Sequence, residues 1–177
     1  MAAPETTADG GIPAPAPLDL IQSLANTLGT DPDRDQLGTR EDAAVWLRAA
    51  ALLPASARLG NSDHTALLRL RESLRGVLAA HTNGHQDPAA AAGLTRALAD
   101  GRIVVTVDPA NGVGLASAAR ASYSGVVAEL AVAIADSAVA GTWPRLKSCS
   151  VDGCGVAFYD DSAAATAIRC AAHAASA

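Results

Sequence analysis

Every cysteine of this 177-residue chain lies between Trp143 and Ala177, and the spacing of the three limits the fold more than any other feature. Four residues separate Cys149 from Cys154, fifteen separate Cys154 from Cys170, and two separate Cys170 from His173. A structural zinc site asks for four thiolate or imidazole donors in a tetrahedron, and short loops deliver them in pairs with little loss of backbone entropy on closure. The pattern therefore predicts a small finger-like appendage stapled by zinc through Cys149, Cys154, Cys170 and His173. Free cysteines also serve simply as small buried apolar residues. Here, however, three of them and a histidine share twenty-five residues of a chain that has no other cysteine. His173 is the ligand nearest a fraying end. Three thiolates and an open position would be left if it did not bind, the form a catalytic zinc takes.

The rest of the chain must build a core almost without aromatics, which are 3% of the residues against 50% apolar overall. Leucine, valine, isoleucine and alanine pack helices closely, so the fold class expected is mainly α (α+β). It would be a helical domain with a small β-hairpin, followed by the C-terminal zinc-finger-like appendage. The length suits one ordinary domain with such an appendage. Residues 1–17, rich in Ala, Pro, Gly and Thr, read as a disordered leader; 18–142 form the helical domain, with a hairpin near 102–115; 143–177 form the finger.

Within the domain, Leu20, Ile21, Leu24 and Leu28 recur at helical spacing before Gly29. Asn26 and Thr27 read there as polar residues at a helix end. After a polar loop from Asp31 to Gly38, Thr39 caps a helix through Trp46 and Leu47 that Pro54 stops. Ser62 or Asp63 caps a longer helix carrying Leu67, Leu70, Leu74, Val77 and Leu78 inward, with Arg69, Arg71, Glu72 and Arg75 toward solvent. Asp87 and Pro88 open a short helix that Gly101 closes. The β-branched run from Ile103 to Val107, a turn through Pro109 and Asn111-Gly112, and Val113 to Leu115 predict the hairpin, which must pack on the helices to persist. An alanine-rich helix from Ala116 to Ala140 reads as the longest and most buried. His81 and His85 have the spacing of a helical metal pair, but Asn83-Gly84 breaks the helix that geometry needs.

The net charge of −5 opposes general nucleic-acid binding, which depends on Lys and Arg releasing counterions from phosphate. In the finger, Arg145, Lys147 and Arg169 are balanced by Asp152, Asp160 and Asp161. The longest apolar stretch, Gly125 to Ala140, is broken by Glu129 and Asp136, so no membrane span is expected. The N-terminus lacks the charged start and apolar run of a secretory signal, and cysteines without a signal suit a reducing cytoplasm. Ser62-Asp63-His64 sets three useful residue types side by side, but neighbours in sequence point apart, and no catalytic constellation is predicted.

The segment Arg145-Leu146-Lys147-Ser148-Cys149, then Cys154, Phe158-Tyr159-Asp160-Asp161-Ser162 and Arg169-Cys170, resembles the CGNR zinc finger. Leu24-Ala25-Asn26-Thr27-Leu28, Gln36 to Asp42 and Trp46-Leu47 are similar to the start of the ABATE domain that precedes this finger. The resemblance spans about Leu18 to Cys170. It implies a bacterial, stress-induced transcription regulator whose N-terminal domain senses or binds something and whose finger touches DNA. It also implies a simple role for Asp160-Asp161, an acid of the finger loop held against backbone donors. The chain departs from the family at the end: Ala175 stands where a fourth cysteine is expected, Gly-Asn-Arg is absent, and no basic helix follows, so the finger is expected to be degenerate and truncated with His173 as the substitute ligand. Three functions remain open: a zinc-finger transcription regulator, a module binding a small molecule or protein in which the finger only caps the helical domain, and an enzyme of specialised metabolism with a structural zinc. The partners open to it are DNA, a small-molecule ligand, a protein, and a second copy of the chain.

Overall fold

The computed structural model describes residues 11–29, 35–110, 112–119 and 121–174. The first ten residues of the expected leader, positions 31–34 of the polar loop, Asn111 of the turn and Ala175 lie outside the described residues. Within the remainder of the leader segment, Ala14 is buried and its N–H donates to Gln22 Oε1 at 2.8 Å.

Six α-helices and two antiparallel hairpins make up the described fold: α1 (Leu18–Ala25), α2 (Arg40–Ala49), α3 (Asn61–Asn83), α4 (Pro88–Leu98), β1 (Ile103–Asp108), β2 (Gly112–Ser117), α5 (Tyr123–Val139), β3 (Leu146–Ser148), β4 (Ala157–Tyr159) and α6 (Ala171–Ala174). Helix α3 is the frame. Its buried stripe, Leu67, Leu70, Leu74 and Leu78, follows the helical repeat, and the helix touches α1, α2, α4 and β3. Helix α4 lies close against it because the contact residues are small. A Cβ on Gly76 would come within 2.7 Å of Ala90 Cβ, and one on Gly93 within 2.5 Å of Ser73 Oγ. Val126, Val127, Leu130 and Ala133 of α5 complete the core opposite α1, whose Leu18, Ile21 and Leu24 are fully enclosed. No helix among the described residues is long and apolar enough to cross a membrane.

Capping chemistry places most helix starts where expected. Thr39 accepts the Asp42 N–H, Asp87 accepts the Ala90 N–H with Pro88 at the first helical position, and Gly84 ends α3 in the left-handed region. Other expectations need correction. Helix α3 starts at Asn61 with Gly60 at the N-cap position, so Asp63 contributes to the cap from inside the first turn, accepting the Gly60 N–H at 2.9 Å. At 23 residues it is longer than the 17-residue α5. Helix α5 begins only after Ser122, because Ala116 and Ser117 pair with Val104 and Ile103 as strand. Cross-strand hydrogen bonding there overrides the helical preference of alanine.

Arg71 also departs from expectation. It is 4% exposed, since position 71 follows Leu67 by one helical turn and so joins the inward stripe. Its guanidinium holds Asp35 through two bonds, Nη1–Oδ1 at 2.5 Å and Nη2–Oδ2 at 2.9 Å, and Nη1 also donates to Thr27 Oγ1 at 3.2 Å. The Arg71 hydrogen bonds hold the Asp35 carboxyl below its ordinary range. Arg75 is half-buried and donates to Ala25 O at 2.9 Å, capping the end of α1, whereas Arg69 faces solvent as expected.

The β1–β2 hairpin pairs from Ile103↔Ser117 to Asp108↔Gly112, and only its base packs on α5. Val105, Val107 and Val113 are 64%, 73% and 73% exposed. The ribbon therefore extends beyond the helices, with hydrogen bonding rather than burial holding its outer half.

Candidate metal centre

Strands β3 and β4 form the platform for the cysteines, in the register Leu146↔Tyr159, Lys147↔Phe158 and Ser148↔Ala157. Leu146 and Ala157 belong to the main core, so this hairpin is built into the helical domain rather than tethered beside it. Side chains of the domain pair both outer edges of the ribbon, as neighbouring strands would. On the β4 edge, Asn26 Nδ2 donates to Ala157 O at 2.9 Å while Asn26 Oδ1 accepts the Ala157 N–H at 2.7 Å, and Gln22 Nε2 adds a bond to the same carbonyl at 3.2 Å. On the β3 edge, Thr82 Oγ1 accepts the Ser148 N–H at 3.0 Å and donates to Ser148 O at 2.6 Å, and His81 Nδ1 lies 2.9 Å from Leu146 O. Asn26 thus does more than end a helix. Replacing it with alanine should leave the Ala157 N–H without a partner and its carbonyl with only the longer Gln22 bond, and cost about 1–3 kcal/mol. A denaturant midpoint unchanged in that variant would show the pairing to be dispensable.

Beyond β3 the chain turns tightly. Cys149 N–H donates to Val156 O at 2.8 Å, Cys154 N–H donates to Val151 O at 3.0 Å, and Gly153 and Gly155 take the positive φ values the turn requires. Gly155 has a second reason to lack a side chain, since a Cβ there would stand 2.6 Å from the Arg75 guanidinium. The loop returning to Cys170 is organised by one buried ion pair. Lys147 Nζ donates to Asp160 Oδ2 at 2.7 Å, Ala165 O at 2.6 Å and Ala167 O at 3.1 Å, which uses all three ammonium protons. Asp160 accepts in addition the N–H groups of Ser162 and Ala167 and the Ser162 hydroxyl. Burial opposes the Asp160 charge, but these donors, Lys147 first among them, outweigh it and hold the carboxyl below its ordinary range. Asp161 is exposed and takes no part in these bonds. Ser150 N–H to Ile168 O at 2.9 Å then fixes the irregular segment that leads to Cys170.

These contacts gather Cys149, Cys154, Cys170 and His173 so that one ligand atom from each lies within 4.8 Å of the others. The three cysteines are buried and not disulfide-bonded. Cys154 and Cys170 Sγ are 3.9 Å apart, and His173 Nδ1 lies 3.5 Å from Cys149 Sγ and 3.4 Å from Cys170 Sγ. A tetrahedron with ordinary zinc bond lengths has edges of roughly 3.8 Å between sulfurs and roughly 3.6 Å between sulfur and nitrogen. The donor set therefore suits a tetrahedral ion by identity, and these three separations match the edges of such a site. Burial alone would raise the Cys149 thiol, but the N–H groups of Cys170 and Val151, with Cys154 and His173, bring it down to about 7. Burial pushes Cys170 up to about 11 and raises Cys154 as well. A cation bound by all three as thiolates must displace their protons, so its affinity rises with pH.

The four residues expected from spacing are the four the fold brings together. His81 and His85 form no metal cluster, among the described residues, with any third ligand. The resemblance implied an acid of the finger loop held against backbone donors, and Asp160 is that acid; sequence reasoning missed its Lys147 partner, together with Asn26 and Thr82, as supports of the centre. Thr82 had a signal, because it continues the stripe of Leu70, Leu74 and Leu78 at intervals of four and so had to face inward. The family model described as "ABATE: Putative stress-induced transcription regulator" matches residues 15–141. The match ends before the first cysteine. No curated protein matches the chain.

Proposed function

Because this chain belongs to the ABATE family, we propose that it acts in transcription regulation as a helical binding domain closed by a structural zinc centre, and that the finger serves as a cap rather than as a DNA reader. The gathering of Cys149, Cys154, Cys170 and His173 at tetrahedral spacing carries the metal reading. Cys149, Cys154 and Cys170 would hold the ion as thiolates, with His173 through Nδ1. Zinc there supplies a fixed crosslink, with four protein donors leaving no position for substrate water. The protein's own residues do the rest: Lys147 and Asp160 shape the loop that presents Cys170, and Asn26, Thr82 and His81 hold the platform to α1 and α3.

The cap reading rests on where the finger's charges go. Lys147 is 4% exposed and neutralised by Asp160, and Arg145 Nη1 donates to the carbonyls of Asp160 and Ser162 at 3.0 and 2.8 Å. Arg169 then faces solvent together with the exposed Asp152 and Asp161. A surface of that balance has little to exchange for the counterions of DNA. Native mass spectrometry of protein purified from zinc-replete medium should find one zinc per chain. Anisotropy titrations with a labelled duplex should show weak binding with little dependence on salt. Absence of zinc would remove the metal reading. DNA affinity falling steeply between about 50 and 200 mM salt would remove the cap reading in favour of direct DNA contact.

A further inference from the structure

A cleft of about 490 Å³ opens where α3 ends and α4 begins. Val77, Ala80 and Ala91 give it an apolar floor, and His81 and Asp87 bring polar groups to it. The Leu146 carbonyl can only accept, so His81 donates through Nδ1 at 2.9 Å and keeps the Nε2 lone pair as an acceptor. Burial of the ring favours this neutral form. Asp87 carries the one carboxylate of the lining, with Oδ1 taken by the Ala90 N–H at 2.9 Å. The carbonyl end of the 23-residue α3 brings the negative end of a helix to the cleft, and at the opposite wall Asp87 sets its charge against the positive end of the shorter α4. No lysine or arginine lines the cleft. Lys147, whose charge reaches the His81 ring, is paired with Asp160 at 2.7 Å.

We propose that this cleft is a binding site for a small primary amine: an ammonium group between Asp87 and His81 Nε2, with its apolar body against Val77, Ala80 and Ala91. The volume lies in the range of small-molecule sites; His85 and Gln86 add adaptable polar groups to the lining, and Asp87 with His81 Nε2 offers acceptors to a positively charged donor. Occupancy there reaches the finger directly. The same His81 ring holds Leu146 of β3 and stands edge-on to Trp143, with ring centroids 5.1 Å apart. The proposal is independent of whether zinc is bound.

Trp143 provides the readout. In the full chain carrying Trp46→Phe, which leaves Trp143 as the one tryptophan, the emission should change saturably with 2-phenylethylamine. The neutral 2-phenylethanol should bind at least about tenfold more weakly and phenylacetate more weakly still. Asp87→Asn keeps a capping side chain on α4 while removing the charge. It should lower the amine affinity about tenfold with the far-UV circular dichroism unchanged. Equal binding of the amine and the alcohol, preference for the carboxylate, an Asp87→Asn variant with unaltered affinity, or no saturable response to the amine up to about 10 mM would each overturn the proposal.

Discussion

Cys149→Ser is expected to release the metal while α1 to α5 keep their helical signal. Binding free energy at a thiolate-rich structural zinc site amounts to about 10–16 kcal/mol at neutral pH and is expressed as folding of the segment that carries the ligands. Serine cannot supply the thiolate, so most of that energy is lost. The damage should nonetheless be local. Leu146 and Ala157 are held in the main core, and Asn26, Thr82 and His81 bind the strand edges without involving a cysteine. Hydrogen exchange should therefore show residues 149–156 and 160–174 losing protection while 146–148 and 157–159 keep theirs. Retention of one zinc per chain in Cys149→Ser would refute the assigned ligand set. Loss of protection throughout the helices would instead make the centre the organiser of the whole fold.

Asp160→Ala should be the most damaging substitution outside the ligands. Lys147 and Asp160 side chains are 5% and 1% exposed, so removing the carboxylate leaves an ammonium buried with only carbonyls around it. Breaking a buried pair in this way costs about 3–5 kcal/mol. It should also weaken zinc retention against a chelator, because the loop bearing Cys170 loses its anchor. The Lys147→Met/Asp160→Leu double variant removes both charges and should recover much of the loss. If Asp160→Ala alone unfolds with an unchanged denaturant midpoint, the pair is not stabilising the fold. The pH dependence has a definite sign. A carboxyl held low in the native state stabilises the fold above its unfolded value near 4, and that contribution disappears as pH falls through the lowered native value. Asp160→Asn should accordingly flatten the acid side of the stability curve.

Short-range patterns were the legible part of this molecule. Cysteine spacing identified the four candidate ligands, the Leu67 to Leu78 stripe identified α3, and Asp87-Pro88 marked the start of α4 within a residue. What escaped was set by distant partners. Asn26 looks like any polar residue at a helix end until Ala157, 131 residues away, is placed beside it. Arg71 was assigned by its charge rather than its position on the helix, because an arginine turns inward only where a carboxylate such as Asp35 waits for it. Ala116 and Ser117 followed their strand partners instead of their helix propensity. The charge count of the finger was right in sum, but Lys147 and Asp160 cancel by direct contact inside the fold rather than by average over a surface.

The pairing of Asn26 with Ala157 also sets an order of events during synthesis. A ribosome adding about 5–20 residues per second needs roughly 7–26 s to travel the distance between these two positions. Throughout that interval the nascent chain carries α1 with Gln22 and Asn26 still lacking their Ala157 partner, and Arg75 can close only the Ala25 end. The helical domain can collapse early and enclose the apolar face of its first helix, yet the polar end of that helix is completed only when β4 arrives.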